Sequence, residues 1–271
     1  MSKRFIWYGS ITSAIPLLLD TYTNAYYAWS VARRLNTSYT GALIRIRRSS
    51  DNAETDIGYN GSNELDTSAI TSFVGANSAY VTTKYDQSGN GRNWVQTTAA
   101  KQPRIVNAGT LDLENGKPTS VYTGAHQMSV SGLTLFIVPT SSILFYTFKL
   151  TTNTIIIHNG SGTGSGSAWF DYFNNGDGLV PSQNSGTLAY YKNGTLITAT
   201  RDSLYDQFIN TQALMTIKDI DWFKPGWAGS LFDGYGGGFD FQGNLQEEVC
   251  YITQVNSQTG IENNIKTFYA L

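Results

Sequence analysis

Residues 85–96 read YDQSGNGRNWVQ, with an aspartate, two asparagines, two glycines and an arginine held between a tyrosine and a tryptophan. Such a mixture either ligates or catalyses, or it ties a tight corner. The corner reading uses every residue. Asp86 can accept hydrogen bonds from N–H groups two or three positions on, and Gly89 and Gly91 permit positive backbone angles. Asn90 and Asn93 can bond locally, Arg92 can reach Asp51, Glu54 or Asp56 as a bidentate pair, and Trp94 can anchor the loop among apolar neighbours. One carboxylate cannot run acid/base chemistry that needs two, so Asp86, Gly89, Asn90, Gly91, Arg92 and Trp94 are expected to form a structural loop.

The remaining chemistry-bearing residues are few. A calcium ion needs six to eight oxygens; DNAETD, DQSGN and NNGDG could supply some, yet none has the twelve-residue spacing of a helix–loop–helix site. No cofactor and no metal site are expected, with calcium left open. His126 and His158 cannot complete a zinc site without two carboxylates placed by the fold, and are expected to cap strands. Cys250 is the sole cysteine, which excludes an internal disulfide and a cysteine-based metal site; flanked by Val249 and Tyr251, it reads as a small buried side chain. No Gly-x-Ser-x-Gly elbow, phosphate loop or dinucleotide fingerprint occurs. The stretch DIDWFKPGWAGSLFDGYGGGF is turn-rich and crowded with rings. Trp222, Trp227, Phe232 and Tyr235, with Asp240, form a candidate contact surface for carbohydrate or for a protein partner, with core packing as a third reading.

These residues must be positioned by elements made mostly of strand. The chain has 271 residues, of which 27 are glycine, 17 tyrosine and only 14% charged, a mixture suited to short strands and many turns. A net charge of −2 argues against a broad phosphate-binding surface. NAYYAWSVARRL (24–35) puts Tyr27, Val31 and Leu35 at four-residue spacing and predicts a helix. LDTSAITSFVG predicts a second, capped by Asp66 and stopped by Gly75, and SQTGIENNIKTFYAL a third, with Ile261, Ile265 and Phe268 on one face. Elsewhere short apolar runs alternate with turns, including LTLFIVP, SILFYTFKL, QALMTIKD and NLQEEVCYIT. Asn193-Gly194 predicts a tight hairpin, and HNGSGTGSGS (158–167) a loop. Residues 1–20 read as an N-terminal arm, basic and then apolar but too short and polar to span a bilayer. Residues 21–271 read as one β-sandwich domain with small helices.

Three ordered blocks, SYTGALIRIRRSSDNAETDIG (38–58), VTTKYDQSGNGRNWVQTTAAKQPRIVNAG (81–109) and ENGKPTSVYTG (114–124), resemble a concanavalin A-like, laminin-G-type jelly-roll family found in bacteriophage virion proteins. YDQSGNGRN is also similar to the catalytic sandwich of α-L-arabinofuranosidase B. The resemblance implies an all-β jelly roll with short peripheral helices and an N-terminal arm. For the enzyme family it implies a nucleophilic glutamate after a Cys-Cys-Phe-Asp-Tyr-like segment and an acid/base aspartate in a Gly-Gly-Asp-Asn context. Here AWFDYFNNGDG keeps Phe170-Asp171-Tyr172 without the cysteines, no glutamate follows, and Asp177 is the only acid just downstream. In GGGFDFQGN a phenylalanine displaces Asp240. On these departures no catalytic residue is expected.

The function expected from this reading is a non-enzymatic bacteriophage virion protein, a head- or tail-attached fibre or decoration component made in the host cytoplasm. Its partners would be other virion proteins, met through the arm, and a host cell-surface glycan. It would form a homo-oligomer and bind neither nucleic acid nor membrane. Two alternatives stand beside it: a carbohydrate-binding module of a surface or tail-fibre protein, and an α-L-arabinofuranosidase-like glycoside hydrolase.

Overall fold

The computed structural model describes residues 16–130, 141–153, 155–159, 169, 171–182, 185–222, 231–233, 241–253, 255 and 257–271, without the side chains of 155, 156, 159 and 231–233. Strands dominate, and every paired strand is antiparallel to its neighbours. The fold is an all-β jelly-roll sandwich that carries, among the described residues, four short α-helices: α1 (Leu18–Thr21), α2 (Thr67–Val74), α3 (Arg201–Phe208) and α4 (Gln258–Tyr269).

At the centre lies the last strand, Gln242–Tyr251, flanked by Ser142–Leu150 on one side and by Ser120–Thr123 and Tyr27–Ser30 on the other. Ser142–Leu150 pairs in turn with Ala213–Ile220, which leads to the edge hairpin Ala189–Lys192 and Thr195–Ile197. Side chains on a strand alternate between faces, and here both faces are covered. Leu144, Tyr146, Phe148 and Leu150 point into the large core between the layers, while Ile143 and Phe145 point outward against Leu18, Leu19, Ile261, Ile265 and Tyr269 of α1 and α4. The central strands therefore read as near-continuous apolar runs.

Local chemistry explains several elements. Asp66 caps α2 by accepting from the Ala69 N–H, and Gly75 follows at φ +56°. Ser257 caps α4 by accepting from the Gly260 N–H. The Asn193-Gly194 hairpin forms with both residues at positive φ, 49° and 85°, as a two-residue turn requires.

Two expectations need correction. The helix expected over 24–35 is a strand, Tyr27–Ser30, buried along its whole length and paired with residues 247–250. Pairing and burial on both faces outweigh a modest helix propensity. The expected loop at 158–167 begins as a strand, His158–Asn159, paired with Leu231–Asp233. Helix α3 forms where no element was expected: Thr200 and Ser203 form a reciprocal capping box at its start. Leu18 and Leu19, at the end of the expected arm, are packed into the outer core. The expected strand LTLFIVP and residues 1–15 lie outside the described residues.

Candidate active site

The loop that opens the sequence question is a corner. Asp86, 5% exposed, accepts the Ser88 N–H and the Ala28 N–H at 2.9 Å through Oδ1, and the Arg92 N–H at 2.9 Å and the Ser88 hydroxyl at 2.8 Å through Oδ2. Gly89 and Gly91 take φ of 90° and 71°. Asn90 donates to the carbonyls of Ala25 and Tyr26, and Asn93 accepts from the Asp86 N–H. Trp94 is fully buried against Tyr27 and Trp29. The expected pairing of Arg92 with an acid of 51–56 is corrected. Its guanidinium stacks 3.7 Å from the Tyr26 ring centroid and donates to the Tyr26 carbonyl. Asp51 and Asp56 are held by Arg48 and Arg45 instead.

The charged interior lies elsewhere, on the last strand. Glu247 and Glu248 are adjacent, so the strand sends them to opposite faces. Glu247 meets the buried Arg33 guanidinium in a bidentate pair at 2.7 and 2.8 Å, and Tyr269 of α4 donates to it at 3.1 Å. Glu248 faces the inner core. Its Oε1 accepts the Tyr27 hydroxyl at 2.5 Å and its Oε2 lies 3.1 Å from His158 Nε2. The other side of that ring, Nδ1, is 2.5 Å from Asp171 Oδ2. Asp171 also accepts the His158 backbone N–H at 2.8 Å and the Tyr146 hydroxyl at 2.9 Å. Asp171, His158, Tyr146 and Glu248 are all fully buried.

Two effects oppose each other at His158. Burial alone lowers its pKa, but the charges of Asp171 and Glu248, together with their hydrogen bonds, outweigh it and push the imidazole up to about 10. The Tyr146 phenol is pushed up by burial and then by Asp171. The expectation that His158 caps a strand is thus corrected: the strand carries it, and the ring bridges two acids.

A groove of about 880 Å³ is lined by Pro181, Ser182, Ala189, Tyr190, Leu196 and Ile197 among others. Tyr190 joins it to the acidic cluster. Its ring lines the groove, its hydroxyl bonds Ser182, and it feels the charge of Asp171. Val180 and Leu196, 65% and 63% exposed, form an apolar rim.

The other candidates fall out as follows. Asp177 is tied by the Leu179 N–H, by Asn174 and by Arg201, which hold its carboxyl below the usual range. Trp222 is fully buried in the core, which corrects its place among exposed loop aromatics. Phe232 sits on Leu231–Asp233, between Met128–Val130 and His158–Asn159, with its side chain not described. Trp227, Tyr235 and Asp240 lie outside the described residues. Among the described residues, no group of three His, Cys, Asp or Glu side chains is arranged to hold a metal ion. The sequence signal for the cluster was the doublet Glu247-Glu248 inside the apolar run NLQEEVCYIT, where each buried acid requires a partner.

A jelly-roll sandwich with an acidic, hydrogen-bonded interior and an open surface groove is the class these observations define. A family model described as alpha-L-arabinofuranosidase B, catalytic, matches residues 19–162, just over half of the chain. The chain belongs to that family. Solved structures agree in fold. An arabinofuranosidase complexed with arabinofuranosyl-α-1,2-xylobiose superposes with a TM-score of 0.58 at 17% identity, and a GH54 α-L-arabinofuranosidase soaked with a cyclic sulfate inhibitor with 0.56 at 18%. Each covers 92% of this chain, whereas this chain spans 64% of theirs. Comparison with curated proteins finds no match. The expectation of a non-enzymatic virion structural protein is overturned by the family match, since the family is defined by a catalytic domain.

Proposed function

We propose that the chain is a glycoside hydrolase of the arabinofuranosidase B type, acting on terminal α-L-arabinofuranosyl groups. The observation that carries this reading is the family match over residues 19–162. The solved enzymes with the same fold, one holding an arabinofuranosyl-xylobiose, support the substrate class.

The buried cluster fits such a reaction in a definite way. Glycoside cleavage passes through an oxocarbenium-like transition state, with positive charge developing on the sugar. Fixed dipoles and charges in a water-poor interior stabilise developing charge without reorganising. Asp171, whose charge reaches Tyr190 in the groove lining, is linked through His158 to Glu248, and the pair is held by Tyr146 and Tyr27. Two acids and one imidazolium leave an excess of negative charge there, of the sign the transition state needs. His158 stands between the two carboxylates, so in this arrangement they do not face one anomeric carbon together. Their role is electrostatic, with Tyr190 as the wall between them and a sugar in the groove.

The test is release of 4-nitrophenol from 4-nitrophenyl α-L-arabinofuranoside by the whole chain and by Asp171→Asn, Glu248→Gln, Asp177→Asn and Asp240→Asn. Hydrolysis is expected from the unaltered chain. Losses on the order of 10²–10³-fold are expected for Asp171→Asn and Glu248→Gln, with little change for Asp177→Asn, whose carboxyl is committed to Arg201 and Leu179. The Asp240→Asn result decides whether that acid takes part directly. An unaltered, folded chain that releases no 4-nitrophenol ends the proposal.

A further inference from the structure

His158 has a geometry that no strand-capping or packing role requires. A neutral imidazole offers one N–H donor and one acceptor nitrogen, whereas a carboxylate only accepts. Here both ring nitrogens face carboxyl oxygens, Nδ1 at 2.5 Å from Asp171 and Nε2 at 3.1 Å from Glu248. The remaining contacts of those acids are also acceptor contacts: Asp171 takes the His158 backbone N–H and the Tyr146 hydroxyl, and Glu248 takes the Tyr27 hydroxyl. The arrangement is satisfied when the ring donates at both nitrogens.

We propose that His158 is a positioning residue, an imidazolium that holds Asp171 and Glu248 as one rigid acidic unit in the inner core. This rests on the hydrolase reading for its catalytic consequence, but not for the protonation itself. Its backbone N–H and its ring grip the same aspartate, so the strand His158–Asn159 and residue 171 are locked in register by one side chain. The Tyr146 ring packs edge-on at 4.8 Å and shields the pair from the side.

Among the described side chains, the groups that bear on the ring come from several strands around it; Asp233, paired with His158 along the backbone, has its side chain outside the description. Asp171 precedes Tyr172–Phe173, Glu248 lies on the last strand, Tyr146 on Ser142–Leu150 and Tyr27 on the strand paired to the last one. Tyr190 feels Asp171 from the groove side, and Cys250, two residues from Glu248, feels that glutamate and Arg92. The two acids both meet the ring nitrogens directly. Removing His158 leaves two acids facing each other with no counter-charge, which reshapes the pair rather than merely loosening the core.

The chain has only two histidines, so ¹⁵N-histidine NMR of the full chain resolves both rings, with His126→Gln assigning the signals. His158 is expected to show both ring nitrogens protonated at pH 8, and Glu248→Gln or Asp171→Asn to lower its titration midpoint. A second arm measures hydrolysis by His158→Gln. A fall in kcat of about a hundredfold with KM nearly unchanged is expected from displaced acids. A neutral His158 ring at pH 8 overturns the proposal whether or not the chain hydrolyses arabinofuranosides. So does a folded His158→Gln variant with unchanged kcat in a chain that does. Absence of hydrolysis with a protonated ring sinks the hydrolase reading and leaves the protonation standing.

Discussion

Replacing Asp86 with alanine should unfasten the corner that joins the first strand to the loop at 85–96. The carboxylate takes three backbone N–H groups and one hydroxyl, all at 2.8–2.9 Å, and is 5% exposed. The Ala28 N–H belongs to a fully buried residue and cannot turn to water. Leaving such a donor unpaired costs about 1–3 kcal/mol. The N–H groups of Ser88 and Arg92 lie nearer the surface and are partly rehydrated, at about 0.5–1.5 kcal/mol each. The sum is about 2–6 kcal/mol, centred near 4, a large share of the roughly 5–15 kcal/mol that holds a folded domain. Asp86→Asn keeps one acceptor oxygen but turns an amide toward an N–H, so it should lose about half as much. Urea unfolding at pH 7 gives both values, and the thermal midpoint of Asp86→Ala should drop by roughly 10 °C. A loss under about 1 kcal/mol for Asp86→Ala, or an asparagine variant no better than alanine, would refute the reasoning that the carboxylate knots this corner.

Stability should also depend on pH through His158. Its pKa is raised from 6.5 to about 10, so its contribution is fully present below pH 6.5 and is lost as the pH rises toward and through 10. The full span is on the order of 5 kcal/mol, and unfolding in urea from pH 6 to 9.5 should show a decline that His158→Gln flattens; equal slopes would contradict this. Gly194→Ala forces φ of +85° on alanine and brings its Cβ within 3.0 Å of Glu262 Oε2, a carboxylate held by Thr216 and Gln258. It should destabilise by about 1–2 kcal/mol in the same assay, and a neutral or stabilising result would count against the hairpin geometry. Cys250 is fully buried, and burial followed by the charge of Glu248 pushes its thiol up; a thiol reagent at pH 8 should label it only after unfolding, which mass spectrometry of native and denatured samples checks.

What could be read in the sequence was what chemistry arranges locally. The Asp86 corner, the Asp66 cap, the Asn193-Gly194 hairpin and the buried Cys250 each depend on residues a few positions apart. The misreadings were of partners far along the chain. Tyr27 pairs with Cys250, and nothing within 24–35 announces it; seen alone, four-residue apolar spacing there suits a helix. Arg92 chose the Tyr26 ring and carbonyl over the acids at 51–56 because the corner folds back on the first strand. The Asp171–His158–Glu248 cluster spans strands separated by long stretches of sequence, and Trp222 looked exposed only because its neighbours are turn residues. The jelly-roll class survived all of this because it rests on many short apolar strands at once, whereas function rested on two or three acids whose register a single inserted residue can shift.

The most direct measurement is the rate of 4-nitrophenol release from 4-nitrophenyl α-L-arabinofuranoside by the full chain, set beside Glu248→Gln with circular dichroism confirming that both are folded. Enzymatic turnover by the unaltered chain, cut on the order of 10²–10³-fold by the substitution, is the outcome expected of a hydrolase with an electrostatic acidic floor. Turnover that Glu248→Gln leaves untouched would contradict the floor, and no turnover at all would contradict the hydrolase.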